Sequence, residues 1–171
     1  MGRLSGLVQV PGLHETLVTA SLVDLIAGLG GQAPAVQSTQ LLLSPALQDK
    51  AGLAALNWHV DARADARNRL PGIQAFFLID DVAPGGGATL ALAGSHRTAM
   101  QSVIRSPAFR RVLKASADPE HELRAFGITL VEMSGRAGDV FLMDMRVMHS
   151  PSIDTTKNVR MMATCRCHLD L

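Results

Sequence analysis

Three residues in this chain have the types and spacing of a metal site. His59 and Asp61 lie two apart in Asn57-Trp58-His59-Val60-Asp61, and His149 ends the run Gly138-Asp-Val-Phe-Leu-Met-Asp-Met-Arg-Val-Met-His149. In an extended strand, side chains two apart point to the same face, so His59 and Asp61 face one way. A histidine delivered by a neighbouring strand completes a set of two imidazoles and one carboxylate. That facial set suits non-haem Fe(II) and leaves coordination positions open for a co-substrate and dioxygen. Arg160, eleven residues beyond His149, adds a planar cation able to grip a carboxylate through two parallel hydrogen bonds. A dicarboxylate co-substrate that chelates the metal through its keto acid end would present its far carboxylate to such a group. Thr89, Ser150 and Ser152 are hydroxyls available to complete that carboxylate site.

Each residue alone also has an ordinary reading. His59 could be a satisfied core histidine, Asp61 a turn carboxylate and Arg160 a surface strand arginine. His-x-Asp recurs by chance. The combination is more specific: the pair beside Trp58 is followed by a strand-borne histidine and then by an arginine.

The elements that must position these groups are legible from periodicity. Residues 11–30 read as one or two helices, with Pro11 in a first turn, an apolar stripe of Leu13, Leu17, Leu22, Leu25 and Ile26, and glycines at 28, 30 and 31 as the stop. His14 reads as a solvated helix residue. Ala35 to Ser44 reads as a strand ended by Pro45, and 45–55 as a loop or short turn. Leu56 to Asp61 is the expected strand bearing the first two ligands. Pro71 to Asp80 is apolar enough to be buried on both faces. Further strands are expected at Ala88–Leu92, Phe126–Met133, Gly138–Asp144 and Val159–Leu169. Residues 97–125 form a helical or irregular insertion broken by Pro107 and Pro119. About seven strands, one insertion and an N-terminal helical cap indicate a mainly β sandwich or barrel.

The chain has 171 residues, of which 47% are hydrophobic and 18% charged, which fits one domain with a sizeable core and argues against disorder. A net charge of +1 gives no nucleic-acid footprint, and no apolar run is long enough to span a bilayer. The start, Met-Gly-Arg-Leu-Ser, does not read as a signal peptide. Cys165 and Cys167, two apart in one strand, read as small packing residues in a reducing, cytoplasmic setting. Arg63, Asp65, Arg67 and Arg69 crowd the loop after the first ligands. They read either as solvated charges or as a surface that meets an acidic substrate.

Three blocks in this order resemble the phytanoyl-CoA dioxygenase family of Fe(II)/2-oxoglutarate oxygenases. They are Trp58-His59-Val60-Asp61, Gly87-Ala-Thr-Leu-Ala-Leu-Ala-Gly-Ser-His96, and Gly138-Asp-Val-Phe with His149 and Arg160. The resemblance covers about residues 35–169. It implies a double-stranded β-helix, a jelly-roll or cupin-like barrel over 35–169, with residues 1–31 as helical cap. It implies His59, Asp61 and His149 as iron ligands, Arg160 as the 2-oxoglutarate clamp, Gln74 and Phe76 as co-substrate pocket residues, and dioxygen as the oxidant. His96 matches a block whose histidine is not a metal ligand. Relatives carry a polar residue two positions after the distal histidine, where this chain has Pro151, with Ser150 or Ser152 as the available substitutes. Relatives also carry a further N-terminal strand and helix. Without it the edge at 36–43 needs a cover, either the stripe at Leu13 to Leu25 or the same edge of a second chain in a homodimer.

The leading reading is a hydroxylase of a small organic substrate, with specificity in the loops at 62–70 and 97–125. The alternatives are a degenerate barrel kept as a binding or scaffolding module, and a cupin-like metal enzyme that does not use 2-oxoglutarate. Arg160 argues against the last of these.

Overall fold

The computed structural model describes residues 10–44, 53–63, 65, 67–97, 99–154 and 159–169. Two short helices come first, α1 (Leu13–Leu17) and α2 (Ala20–Gly30). Thr19 caps α2 by accepting from the Leu22 N–H, and Gly31 ends it in the left-handed conformation at φ 76°. Only glycine adopts that conformation without steric cost. The strands β1 (Ala35–Val36), β2 (Gln40–Ser44), β3 (Gly72–Leu78) and β4 (Thr89–Ala93) follow. The helices α3 (Met100–Val103), α4 (Pro107–Ala115) and α5 (Pro119–Ala125) form the insertion. The strands β5 (Thr129–Glu132), β6 (Val140–Asp144), β7 (His149–Pro151) and β8 (Arg160–His168) complete the order.

Pro107 and Pro119, expected as breaks, stand at the first helical positions of α4 and α5. The capping side chains of Ser106 and Asp118 precede them. Proline costs nothing there, because its missing N–H has no helical partner in the first turn.

The strands form two antiparallel sheets. The larger runs β1-β8-β3-β6, with β2 also on β8, and the smaller runs β5-β4-β7. This is the expected jelly-roll class. Among the described residues, however, the sheets do not close into a barrel. The strand expected over 35–44 is interrupted. β1 and β2 pair with the same edge of β8 on either side of a kink, where the Gln37 N–H reaches the Arg166 carbonyl. Pro45 and most of the loop after it lie outside the described residues; a 3-10 turn at Leu53–Ala55 is described. Residues 56–61 are not a regular strand. They are an extended segment with one bridge, His59 to His149.

The packing is layered. Between the sheets lie Phe76, Leu78, Ala91, Met143 and Met162, with Leu42 packed against them. On the outer face of the larger sheet, Ile26 packs with Ile73, Ala75, Phe77, Ala163, Cys165 and Cys167. Both cysteines are buried and free. On the outer face of the smaller sheet, Phe109 and Val112 of α4 and Leu123 of α5 pack with Leu92 and Ile128, and Trp58 joins them. β3 is buried along its whole length because both of its faces are covered.

The N-terminal helices therefore cover a sheet face, not the sheet edge. Leu13, Leu17 and Leu22 contribute to this cover. Leu25, expected in the same stripe, is 53% exposed, because α2 packs through Leu22 and Ile26, one turn apart, and Leu25 lies to the side of that face. His14 is half-buried rather than simply solvated: its Nδ1 lies 2.9 Å from Thr39 Oγ1 and ties α1 to the β1–β2 segment.

Candidate metal centre and anion pocket

The ligand segment is held to the strand that carries its partner. His59 N–H donates to the His149 carbonyl at 2.9 Å, and His149 N–H donates to the His59 carbonyl at the same distance. Two positions on, the N–H groups of Asp61 and Ala62 both donate to the Met145 carbonyl at 3.0 Å. These bonds place the three side chains together. One ligand atom from each of His59, Asp61 and His149 lies within 4.8 Å of the others. Trp58 points the opposite way, into the outer cluster, and its Nε1 donates to the Leu53 carbonyl at 3.0 Å. His96 is not part of the group. The turn that carries it has another use: Ser95 Oγ accepts the Met148 N–H at 2.8 Å, pinning the residue just before His149.

The donor set fits a divalent metal. His59 Nδ1 lies 2.9 Å from the Asn57 carbonyl, and His149 Nδ1 lies 3.0 Å from the Val147 carbonyl. A carbonyl only accepts, so Nδ1 carries the proton in each ring and Nε2 is left with its lone pair. Asp61 Oδ2 is buried without a hydrogen-bond partner and lies 3.7 Å from His149 Nε2. Its other oxygen accepts from Arg166 at 3.0 Å. Burial is the main cause that pushes the His149 pKa down from its ordinary value, which favours the neutral ring a ligand needs.

Beside the triad is a cavity of about 250 Å³. Its walls include His59, His149, Gln74, Phe76, Thr89 and Arg160. The inward residues of β8 alternate as Arg160, Met162, Thr164 and Arg166, which follows from the strand period. Arg160 donates to Ser44 Oγ at 2.6 Å and approaches Met162 Sδ at 2.7 Å, while its Nε is buried without a partner. Burial pulls its pKa down to about 10, against an opposing effect of nearby Asp154. A buried guanidinium with an unmet N–H fits an incoming carboxylate. Gln74 donates to Thr164 Oγ1 at 2.8 Å, and Phe76 stands edge-on to His149 at a centroid distance of 6.1 Å.

Two expected pocket residues fall elsewhere. Ser150 and Ser152 are not among the lining residues. Ser150 Oγ turns to the Pro151 carbonyl, and the Ser152 N–H donates to the Ala88 carbonyl. The reason is the strand period: His149 and Pro151 face the cavity, so the positions next to them face away. The hydroxyls that do line or adjoin the anion pocket are Thr89, Thr164 and Ser44. Ser44, Thr164 and Arg166 carry no local motif. They are found only from the pairing of β8 with β2 and β3, which sets Ser44 opposite Arg160 and Thr164 opposite Phe76.

The charged loop after the ligands is partly self-satisfied. Asp65 accepts from the Arg67 and Arg69 N–H groups and from Arg69 Nε, and these bonds pull its pKa down. Arg63 instead joins Arg105 and Arg110 around a larger cavity of about 680 Å³, which has Trp58, Phe109 and Leu113 in its wall and His59 in common with the first.

The family model for phytanoyl-CoA dioxygenase (PhyH) matches residues 9–162. No curated protein matches the chain. Solved structures do. EctD from S. alaskensis, with 2-oxoglutarate and 5-hydroxyectoine, aligns at a TM-score of 0.65 and 20% identity, over 94% of this chain and 53% of that one. The epimerase SnoN, in complex with Fe3+, alpha ketoglutarate and nogalamycin RO, aligns at 0.57 and 19% identity, over 86% and 54%. AviO1 from Streptomyces viridochromogenes Tue57 aligns at 0.60 and 20% identity, over 91% and 60%. These likenesses establish the double-stranded β-helix fold. The chain spans between 53% and 60% of the length of these three solved chains.

Proposed function

From the premise that the chain belongs to the phytanoyl-CoA dioxygenase family, we propose that it is an Fe(II)- and 2-oxoglutarate-dependent dioxygenase that hydroxylates a small organic substrate. The observation that carries this reading is the pairing of two unmet groups. A triad with a buried, unpartnered carboxylate oxygen adjoins a cavity whose far wall holds a buried guanidinium with an unmet N–H.

His59, Asp61 and His149 would hold the metal, with Nδ1 of each ring fixing its orientation. Bound iron and 2-oxoglutarate supply the activation of dioxygen, coupled to oxidative decarboxylation of the co-substrate. Arg160, with Ser44 and Thr89 near it, would hold the far carboxylate and so set the keto acid end toward the triad. Phe76 and Leu42 supply apolar walls, which strengthen the charge pairing by keeping water out. The unpartnered Gln74 Oε1 is an acceptor at the same wall.

The arginines at 63, 105 and 110 around the cavity behind His59 support an acidic group on the substrate. The free, buried Cys165 and Cys167 support a reducing, cytoplasmic setting. Among the described residues, no helix is long and apolar enough to cross a membrane. A homodimer joined through the β2 edge away from β8 is part of this proposal.

The activity is tested by following conversion of 2-oxoglutarate to succinate, with and without Fe(II) and dioxygen. Succinate formation that needs both is the expected result. A protein that binds Fe(II) but leaves 2-oxoglutarate untouched under all conditions would point to the enzyme class that does not use it.

A further inference from the structure

We propose that Arg166 is a positioning residue that restricts Asp61 to a single metal-binding oxygen; this rests on the reading of the triad as an iron site. The two oxygens of Asp61 are in different situations. Oδ1 accepts from Arg166 at 3.0 Å, while Oδ2 is buried without a partner and faces His149 Nε2 at 3.7 Å. A carboxylate free to turn can offer a metal both oxygens, and the second would occupy a position that a co-substrate or dioxygen needs. The guanidinium removes that option by engaging one oxygen.

Arg166 is built for this role. It lies on β8 in register with Gln74, and β3 holds that part of β8 along seven paired residues. Its side chain is 32% exposed and that of Asp61 only 9%, so the bond forms at the edge of the cavity with the acid on the buried side. Among the described residues, no other side chain hydrogen-bonds Asp61. The strand period puts Arg160 and Arg166 on the same face of β8. One strand thus supplies the cation for the co-substrate and the cation for the iron carboxylate. The Asp61 backbone is fixed separately by its bond to the Met145 carbonyl, so loss of Arg166 would free the carboxylate without releasing the segment.

The test uses R166M and R166K in the full chain, under anaerobic conditions. Partners of a metal's own ligands, when removed, lower metal affinity roughly tenfold to a hundredfold. R166M is expected to lose Fe(II) affinity by a factor in that range. It is also expected to shift the visible charge-transfer band formed with Fe(II) and 2-oxoglutarate. R166K, which keeps a donor and a charge but not the planar fork, is expected to fall between R166M and the parent chain in both readouts. Parent-like affinity and an unshifted band in R166M would overturn the proposal. So would loss of affinity in R166M and R166K accompanied by an equal loss of thermal stability, since that is what a merely structural arginine would produce. A parent chain that binds no Fe(II) would refute the iron reading itself, and is told apart because the variants then have nothing to lose.

Discussion

His59 and His149 are mirror partners: each donates its backbone N–H to the other's carbonyl at 2.9 Å, and the Nδ1 of each ring bonds to the carbonyl two residues before it. Their rings sit 4.3 Å apart at 49°. The same local device thus prepares two ligands on two segments, and the bridge sets the distance between them. Removing either ring takes away one of the three groups that could hold a metal among the described residues. His59→Ala and His149→Ala should each abolish tight Fe(II) binding, while His96→Ala should leave it intact. Calorimetric titration of the three variants checks this, and equal loss in all three would remove the ligand assignment.

Arg160→Ala should spare iron and weaken 2-oxoglutarate. Removing one partner of a buried charged pair costs about 2–5 kcal/mol, which is roughly a thirtyfold to several-thousandfold loss of affinity. Arg160→Lys should recover only part of it, because an ammonium cannot make the two-pronged contact. Titration of the iron-loaded variants with 2-oxoglutarate gives the numbers. Unchanged affinity in Arg160→Ala would mean that another group holds the carboxylate.

The lowered pKa of Arg160 has a pH consequence with a definite sign. The group is charged at neutral pH in both the folded and unfolded chain, so its burial costs stability there. As pH rises from about 10 toward the ordinary value of 12.5, the folded form sheds its proton first and the cost is relieved. A bound dicarboxylate needs the cation. Affinity for 2-oxoglutarate should therefore stay level from neutral pH to pH 9 and fall as pH passes about 10. Saturating 2-oxoglutarate at neutral pH should raise the thermal midpoint of the iron-loaded protein. A constant affinity through pH 10.5 would show that the guanidinium keeps its proton there, and Arg160→Ala then carries the test of its role.

Ile26 and Leu25 are neighbours on α2 with opposite fates. Ile26 is fully buried against the larger sheet and Leu25 is 53% exposed. Ile26→Ala should cost about 2–5 kcal/mol of stability, while Leu25→Ala should fall within about 0.5 kcal/mol of the parent. Denaturant midpoints separate the two. Equal effects would mean that α2 docks through a different face.

The contrast at α2 shows what was legible in advance. Periodicity places apolar residues on a helix face, but which edge of a broad apolar face meets the sheet is set by docking, here through Leu22 and Ile26, which no spacing rule specifies. The candidate triad was legible only from the combination of His59 and Asp61 two apart with a strand-borne His149, and β3 because an unbroken apolar run needs cover on both faces. Pro107 and Pro119 read in the sequence only as breaks, and the structure shows them opening α4 and α5 behind the caps Ser106 and Asp118. Arg166 and Ser44 were not legible. An arginine between two cysteines in a strand and a serine at a strand end are ordinary residues until long-range pairing sets them beside Asp61 and Arg160. Ser150 and Ser152 were expected in the pocket because of their nearness in sequence, and the strand period turned both away.

If the proposed function holds, iron and 2-oxoglutarate meet beside His59, Asp61 and His149 in the cavity that Arg160 lines. Anaerobic addition of Fe(II) and 2-oxoglutarate, followed by visible absorption, tests it most directly. The expected result is a metal-to-ligand charge-transfer band that needs both components and is lost in His149→Ala. Fe(II) binding with no band on addition of 2-oxoglutarate would contradict it.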